Sequence, residues 1–364
     1  MEKGCRNMKE FRYEDHIGLW KNELADFMPD RFFDVHEHIG PESVVGPMDA
    51  ERARSALTNF TFMEWEDLLR VYAEMYPGKQ PKYVAGFGFV IHEIDVRAAN
   101  SYVLHKAKED PRLLPMLLAT PRDPGALQAG WEEAKELGVK VYGVKPYFDF
   151  ADKPGHFTAM DVELEEFVTE DMLQFCHDHK LVLILHTCDI GMGSPSLRAK
   201  IQRILDTYTD LKLILAHMGR FYVKEEFFDF LDSGFLEKNA DKPFWFDVSS
   251  VTEPEVFMRT MAREDLRPRL LFAMDHPFGL IPGVEMYSET MGGIFLTRDE
   301  YPWSDPKMLE TFAEEAKGMT YNNYHCLKAL KDAIFHYIPD EAEREEFLEN
   351  LFYYNACKVF GVEP

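Results

Sequence analysis

Residues 181–186 read LVLILH, an apolar run of five residues that ends in a histidine. Residues 211–217 repeat the pattern as LKLILAH, again with a histidine at the end. Short apolar runs without clear alternation are typical of strands buried on both faces, as in parallel sheets covered by helices. These two stretches therefore predict parallel strands, and each strand places a histidine at its carboxyl end.

The chain contains eight β-rich runs, and these two stretches are among them. They lie near Phe32–Val35, Tyr83–Val90, Leu113–Ala119, Val139–Lys145, Leu181–His186, Leu211–His217, Phe244–Val248 and Leu270–Met274. Segments with helical spacing separate them, at Ala98–Glu109, Gly125–Leu137, Glu165–His179 and Ser196–Tyr208. Eight alternating units predict an α/β fold of the (β/α)8 TIM barrel type. An open doubly wound sheet is the alternative, because the sequence does not reveal strand order.

Three intervals are longer than one βα unit requires. They cover residues 39–80, 146–180 and 276–337, after strands 1, 4 and 8, and we interpret them as insertions in the barrel. No linker or low-complexity segment interrupts the chain. We therefore expect residues 1–364 to form a single barrel domain with a short N-terminal extension and C-terminal helices.

The composition of the chain indicates which partners and which cellular compartment to expect. The chain is 46% hydrophobic and carries a net charge of −24, with no basic patch, so we expect no nucleic-acid partner. Its five cysteines are scattered and odd in number, which favours a reducing compartment over a disulfide framework. Because we see neither a signal peptide nor a membrane-spanning apolar run, we expect a cytoplasmic protein that does not contact membranes.

The first strand ends in the triplet His36-Glu37-His38. Residues two apart on a strand share a face, so both imidazoles are predicted to point the same way, as two ligands of one metal must. The chain also contains His177-Asp178-His179, but at the end of a predicted helix, where residues two apart do not share a face. We interpret that second pair as surface or capping residues.

Metal-competent side chains end three further strands. His186 ends the fifth strand, His217 the sixth and Asp275 the eighth. The carboxyl ends of barrel strands are where active sites of this fold are built. Imidazole and carboxylate ligands together suit Zn²⁺, Mn²⁺ or Fe²⁺ and leave positions open for water.

This arrangement resembles the amidohydrolase superfamily, and in particular its amidohydrolase-related branch of hydrolases and decarboxylases. The tail supports the resemblance, because residues 355–360 read NACKVF and that branch often closes with a helix that starts N-A-x-[RK]-x-[FL]. Two motifs depart from the branch. The residues after His217 are Met-Gly-Arg where the branch often has x-Gly-Gly, and His276 stands before Pro277 where an aromatic residue is frequent.

The resemblance implies a ligand set and roles for the strand-end residues. His36, His38, His186 and Asp275 would hold a divalent metal, for which zinc is favoured and manganese or iron are alternatives, as one or two ions. Asp275 would also act as a catalytic proton acceptor. His217 would either bind a second metal or polarise the substrate carbonyl.

Two cationic side chains have more than one interpretation. Lys145 ends the fourth strand and could be a carboxylated bridge between two metals, an anchor for a substrate carboxylate, or a rim lysine paired with an acid. Arg220 is a candidate for substrate binding through an anionic group, with a structural role as its alternative.

We therefore expect a metal-dependent hydrolase that cleaves an ester, lactone or amide bond of a small carboxylated molecule through a metal-activated water. The alternative is a metal-dependent, non-oxidative decarboxylase of the same superfamily, and hydration of a double bond is a more distant one. A barrel without activity, used for binding, is the competing class, although all the expected ligands are present. The expected partner is a small-molecule substrate, and the chain could also form a homo-oligomer.

Overall fold

The computed structural model describes residues 16–48, 63–153, 158–288, 292–301, 304 and 306–364. Residues 1–15, which include Cys5 and most of the expected N-terminal extension, lie outside these ranges. Parts of the three expected insertions lie outside them as well.

Eight parallel strands form one sheet in which every strand pairs with the next along the chain. The strands are β1 (Arg31–His38), β2 (Gln80–Phe87), β3 (Leu113–Leu118), β4 (Gly143–Lys145), β5 (Val182–Leu185), β6 (Lys212–Leu215), β7 (Phe244–Asp247) and β8 (Leu270–Leu271). Each coincides with a predicted run. Every residue of β3 and β5 is buried, as the continuous apolar runs indicated.

The sheet curls until its first and last strands meet. β8 is only two residues long, but the backbone of the following residues continues toward β1. The amide of Val35 donates to the carbonyl of Phe272 over 3.2 Å, and the amide of Asp275 donates to the carbonyl of His36 over 3.1 Å. These bonds complete the barrel and rule out the open sheet, so the prediction of a (β/α)8 barrel is confirmed.

Helices lie between the strands along the chain. Those that precede β8 are α1 (His16–Leu19, continued by the π-helical turn Trp20–Leu24), α2 (Trp65–Met75), α3 (Val96–Glu109), α4 (Gly125–Leu137), α5 (Glu170–Asp178), α6 (Pro195–Thr207), α7 (Lys224–Leu231), α8 (Phe235–Lys238) and α9 (Pro254–Met261). Their ends follow local chemistry. Gly138 ends α4 in the left-handed conformation, and Ser194 begins α6 by accepting a hydrogen bond from the amide of Leu197.

The segment after β8 adds a hairpin that sequence analysis did not predict. Strands β9 (Gly283–Ser288) and β10 (Gly292–Thr297) pair in antiparallel fashion, with Gly283 opposite Thr297. Val284 and Leu296 of the hairpin pack with Met308 and Met319 in a small apolar cluster separate from the barrel core. The hairpin is thus anchored from outside the barrel.

The chain finishes in helices around the barrel. They are α10 (Pro306–Thr311), α11 (Ala313–Ala316), α12 (Asn322–Tyr337), α13 (Glu341–Glu349) and α14 (Asn355–Phe360), and the π-helical turn Asn350–Tyr354 joins the last two. Within the described ranges no helix is long and apolar enough to cross a bilayer. Cys176, Cys188, Cys326 and Cys357 are buried free thiols.

Candidate active site

The two histidines of β1 lie on one face of the strand. The rings of His36 and His38 are 5.5 Å apart between centroids, and both side chains are buried. Glu37 lies on the opposite face, where its carboxylate contacts the Nδ1 atom of His276 at 2.7 Å and the hydroxyl of Tyr72 at 3.1 Å. The alternation of the strand therefore separates the candidate ligands from a buried structural network.

Asp275 completes a cluster with this pair. One ligand atom from each of His36, His38 and Asp275 lies within 4.8 Å of the other two. The Oδ1 atom of Asp275 is 3.2 Å from Nε2 of His38 and 3.6 Å from Nε2 of His36. Two ligands of a tetrahedral Zn²⁺ ion, each bound at about 2.1 Å, are roughly 3.3 Å apart. The spacing of the three side chains therefore fits a divalent metal.

A carboxylate contacts the ring nitrogen of His36 that faces away from the cluster. Its Nδ1 atom is 3.0 Å from Oδ2 of Asp247, at the end of β7, so Nδ1 carries the proton and Nε2 presents its lone pair to the cluster. Burial lowers the pKa of His36 to about 4, with a further contribution from Lys145, which keeps the ring neutral at physiological pH. A neutral, oriented imidazole is the form that binds metal.

Asp247 also orients the neighbouring strand end. Its Oδ1 atom accepts hydrogen bonds from the amide of His217 at 3.0 Å and from the hydroxyl of Ser249 at 2.6 Å. Burial raises the pKa of Asp247, but the nearby His36 and His217 and the hydrogen bonds outweigh burial and lower it to about 2. The carboxylate therefore stays ionised and fixes two of the four histidines.

His186 and His217 are oriented in the same way by backbone carbonyls. The Nδ1 atom of His186 donates to the carbonyl of Thr187 at 3.0 Å, and that of His217 donates to the carbonyl of Ser249 at 3.1 Å. In both rings Nε2 is then the unprotonated atom. The Nε2 atom of His217 is 3.8 Å from Oδ2 of Asp275, so this ring borders the cluster.

His186 is not part of the three-residue cluster. Its Nε2 atom accepts a hydrogen bond from Nη1 of Arg220 at 2.8 Å. The ring centroid lies 5.3 Å from that of His217. The structure thus brings three of the four expected ligands within reach of one ion and places the fourth beside them, so the role of His186 as a ligand stays a prediction.

Lys145 is fully buried at the end of β4, and its amine is 3.1 Å from Nε2 of His36. In the described part of the chain Asp275 contacts His36, His38 and His217 within 4 Å and does not pair with Lys145. Burial lowers the pKa of Lys145 to about 8, although Asp275 and Asp247 oppose this effect. The amine therefore lies beside the cluster, and its role in the site stays a prediction.

Asp275 is ionised and its backbone is strained. Burial raises the pKa of its carboxyl group, but His36, His38 and His217 outweigh burial and hold the pKa below its usual range. Its φ angle is 56°, and similar positive values occur at His217 and Arg220. Left-handed non-glycine residues are costly and gather at functional sites, so their presence at this rim agrees with the assignment.

A cavity of about 250 Å³ opens beside the cluster. Polar side chains from several strand ends meet apolar ones in its wall. The lining residues are Tyr147, His186, His217, Arg220, Phe221, Ser250, Val251, Asp275, Phe278, Ile281, Glu285, Phe295 and Asn322. The expected catalytic residues Asp275 and His217 and the expected substrate-binding Arg220 all face this space.

Sequence analysis missed several residues of the site. Asp247 ends β7 in the run Phe-Trp-Phe-Asp, and a charged residue at the end of an apolar strand was a signal that could have identified it. Ser250, whose hydroxyl donates to Asp275 at 3.1 Å, follows in the next loop. Glu285 lies on the hairpin β9–β10 and had no such signal.

The second His-x-His triplet lies away from the site, as its helical position indicated. His177 is in the last turn of α5, and its Nδ1 atom accepts a hydrogen bond from the amide of Asp210. His179 follows the helix and stacks on Trp131, with ring centroids 4.2 Å apart. Both side chains stabilise local structure.

Comparisons with solved structures support the fold. A 2,6-dihydroxybenzoate decarboxylase is 14% identical, with a TM-score of 0.51, over 92% of this chain and 100% of that chain. The 4-oxalomesaconate hydratase of Rhodopseudomonas palustris is 14% identical, with a TM-score of 0.52, over 91% and 95%. The 5-carboxyvanillate decarboxylase of Novosphingobium aromaticivorans, complexed with manganese and 4-hydroxy-3-methoxy-5-nitrobenzoic acid, is 14% identical, with a TM-score of 0.50, over 92% and 96%.

The comparison with curated proteins finds no match. The family model described as amidohydrolase matches residues 34–362, which extend from β1 to the end of the C-terminal helices. This range includes all the strand-end residues described above. The chain therefore belongs to the amidohydrolase family.

Proposed function

We propose that this protein is a metal-dependent, non-oxidative decarboxylase that releases carbon dioxide from a small ring-bearing carboxylate. Amidohydrolase-fold proteins of similar structure include decarboxylases of 2,6-dihydroxybenzoate and 5-carboxyvanillate, and one of these was solved with manganese. This proposal reverses the order of our two sequence-based hypotheses, in which hydrolysis came first.

The observation that carries the proposal is the composition of the cavity wall beside the metal-binding cluster. Phe221, Phe278 and Phe295 supply aromatic surface, and the guanidinium of Arg220 supplies a positive charge. A cavity of about 250 Å³ is at the small end of the range for ligand sites, which suits a single ring with a few substituents. Aromatic walls and one cation together match a planar aromatic acid.

The residues that would hold the metal are His36, His38 and Asp275, with His186 as a fourth ligand if Arg220 releases it. A divalent cation bound there would act as a Lewis acid toward substrate oxygens. The two neighbouring cations, Lys145 and Arg220, would bind and orient the anionic groups of the substrate. The amine of Lys145 contacts His36, and the guanidinium of Arg220 contacts His186.

The cavity wall combines aromatic rings with charged groups, among them Arg220, Asp275 and Glu285. Loss of carbon dioxide leaves the bonding electron pair on the substrate carbon, so the site must also supply a proton to that carbon. The Nδ1 atom of His217 is fixed by the carbonyl of Ser249, and its ring faces the cavity.

Hydrolysis is the second candidate, and one observation favours it. Asp275 is ionised and belongs to the cluster, where it could accept a proton from an attacking water. The same geometry would serve cleavage of an ester or lactone bond, so the distinction between the two reactions is experimental.

The test uses the full chain loaded separately with Mn²⁺ and Zn²⁺. Carbon dioxide release is measured with 2,6-dihydroxybenzoate and 5-carboxyvanillate, and bond cleavage is measured with phenyl acetate and dihydrocoumarin. We expect carbon dioxide from at least one carboxylate, abolished by a chelator and restored by metal. Ester or lactone cleavage without any release of carbon dioxide would contradict the proposal and support hydrolysis.

A further inference from the structure

The hairpin β9–β10 brings a second carboxyl group to the cavity. Glu285 lies on β9, and its backbone amide donates to the hydroxyl of Thr252 at 2.8 Å, which fixes the strand against the barrel rim. Its side chain lines the cavity together with Arg220 and Asp275. In the described part of the chain, Glu285 and Asp275 are the two carboxyl groups of the lining.

The two carboxyl groups have different surroundings. Asp275 contacts His38 at 3.2 Å and accepts a hydrogen bond from Ser250 at 3.1 Å, so its oxygens are engaged as an anion. The carboxyl oxygens of Glu285 form no hydrogen bond or ion pair with another described residue, and its half-buried side chain faces the cavity. The charge of Asp275 is thus fixed by its partners, whereas no described group within hydrogen-bonding distance fixes the charge of Glu285.

Among the described residues, Arg220 and Glu253 are the charged groups that act on the carboxyl group of Glu285. Burial raises its pKa to about 7, Arg220 opposes this shift, and Glu253 adds to it. The negative charge of Glu285 in turn contributes to raising the pKa of the Cys326 thiol. A substantial fraction of the Glu285 side chains therefore carries a proton at neutral pH, within the cavity where the substrate would bind.

We propose that Glu285 is the catalytic acid of this site and protonates the substrate carbon that loses carbon dioxide. The inference rests on the proposed function. The bond between that carbon and the carboxylate breaks, carbon dioxide leaves, and the bonding electron pair takes the proton of Glu285 to form a carbon–hydrogen bond. The resulting Glu285 carboxylate takes a proton from water and leaves hydroxide, so one carboxylate and one water give the protonated product, carbon dioxide and hydroxide, and atoms and charge balance over one turnover.

The first experiment measures the proton directly and needs no substrate. Infrared difference spectra of the metal-loaded enzyme are recorded between pH 5 and 9 for the wild-type protein and for Glu285→Gln. We expect a carboxylic-acid C=O band that disappears as the pH rises through about 7 and that Glu285→Gln lacks. If no band titrates in this range, or if the variant retains it, Glu285 does not store the proton and the inference is wrong.

The second experiment measures catalysis, with whichever of the two test carboxylates the wild-type enzyme decarboxylates. Because an acid must be protonated, wild-type kcat/KM should fall above about pH 7. Glu285→Gln should lower kcat by about 100-fold or more and remove this pH dependence. A variant with wild-type kcat and pH profile would overturn the inference.

Glu253→Gln is the matched control, since Glu253 is near Glu285 but does not line the cavity. Removing its negative charge makes ionisation of Glu285 easier, so the pH at which activity falls should decrease while the rate at low pH stays unchanged. If the wild-type enzyme releases no carbon dioxide from either test compound, decarboxylation itself is contradicted. The infrared spectra then decide separately whether Glu285 holds a proton.

Discussion

Asp247 connects the end of β7 with two histidines of the site. It contacts the ring of His36 and the amide of His217, and it remains ionised although it is fully buried. Carboxylates that hold metal-binding histidines from behind set the tautomer and basicity of the ring. A substitution of Asp247 therefore tests whether its contacts support metal binding.

We expect Asp247→Asn to weaken the affinity for Zn²⁺ by about 10- to 100-fold, because an amide lacks the charge that holds His36 in place. Competition with a chromophoric chelator measures the affinity. Asp206→Asn, at an exposed aspartate paired with Lys242, is the control and should bind like the wild-type protein. Equal affinity in both variants would mean that Asp247 does not support the metal ligands.

The buried His325 makes the fold sensitive to acid. It is fully buried in α12, its Nε2 atom accepts a hydrogen bond from the amide of Thr320, and burial lowers its pKa to about 3. The unfolded chain takes up this proton near pH 6.5, the folded protein only near pH 3. Stability is therefore lost as the pH falls through this window.

The contribution of His325 to the pH dependence of stability can be measured by substitution. Between pH 7 and 5 the wild-type protein should lose about 2 kcal/mol more unfolding free energy than His325→Gln. Urea unfolding at each pH provides the values. His336→Gln, at an exposed histidine of the same helix, should follow the wild-type curve, and an identical slope in all three proteins would refute this account.

At the scale of elements, the loop after β6 depends on close contact with the loop after β5. A side chain at Gly191, whose φ is 66°, would place its Cβ atom 2.0 Å from the carbonyl oxygen of Arg220 and 2.5 Å from that of Gly219. The loop after β6, which carries His217 and Arg220, can therefore pack this closely against the loop after β5 because Gly191 has no side chain.

Gly191→Ala should destabilise the protein by at least about 3 kcal/mol and reduce metal affinity, because the loop after β6 must move. Gly138→Ala is a matched control, since Gly138 also has a positive φ of 70° but no atom lies within 4 Å of the added carbon. That variant should lose only about 1 kcal/mol and keep its affinity. Equal losses in stability would show that backbone conformation alone explains the effect.

The elements that sequence analysis predicted well are those whose surroundings are uniform along the chain. Strands such as β3 and β5 are apolar throughout because both of their faces are buried, so the pattern alone identifies them. The alternation of β1 likewise predicted that His36 and His38 share a face. Positions at strand ends then follow from the topology of a barrel.

The parts that were missed depend on contacts between distant segments. The hairpin β9–β10 is held by side chains from later in the chain, Met308 of α10 and Met319 of the loop before α12, and no local pattern marks such an anchor. Glu285 reaches the cavity only because this hairpin lies over the barrel rim. The contact between Arg220 and His186 joins two loops, so sequence spacing did not reveal that this cation approaches a predicted ligand.

In the molecule as a whole, the three clustered side chains lie on both sides of the junction where β1, the first strand of the barrel, meets the residues that follow β8, the last. His36 and His38 belong to β1, and Asp275 follows β8, where its amide donates to the carbonyl of His36. An ion bound to all three would link the first strand of the barrel to the last. Metal binding should therefore stabilise the folded state as a whole.

With free Mn²⁺ or Zn²⁺ at 100 times its dissociation constant, we expect the unfolding free energy of the wild-type protein to rise by about 2.7 kcal/mol. His177→Ala should show the same increase, because that side chain lies on α5 away from the cluster. His36→Ala combined with His38→Ala should show none. Calorimetry with and without a chelator measures the change, and an increase in the double variant would place the metal elsewhere.

The hydrogen bond between Asp275 and His36 also has a consequence for biosynthesis. Its partners are 239 positions apart in the chain, so a ribosome must have released nearly all of the barrel before the two can meet. Contacts between such distant residues form late, after the intervening units have assembled. Capture of an ion by this trio would therefore report that the barrel of the newly made chain has closed, and every nascent product that ends before Asp275 would remain without it.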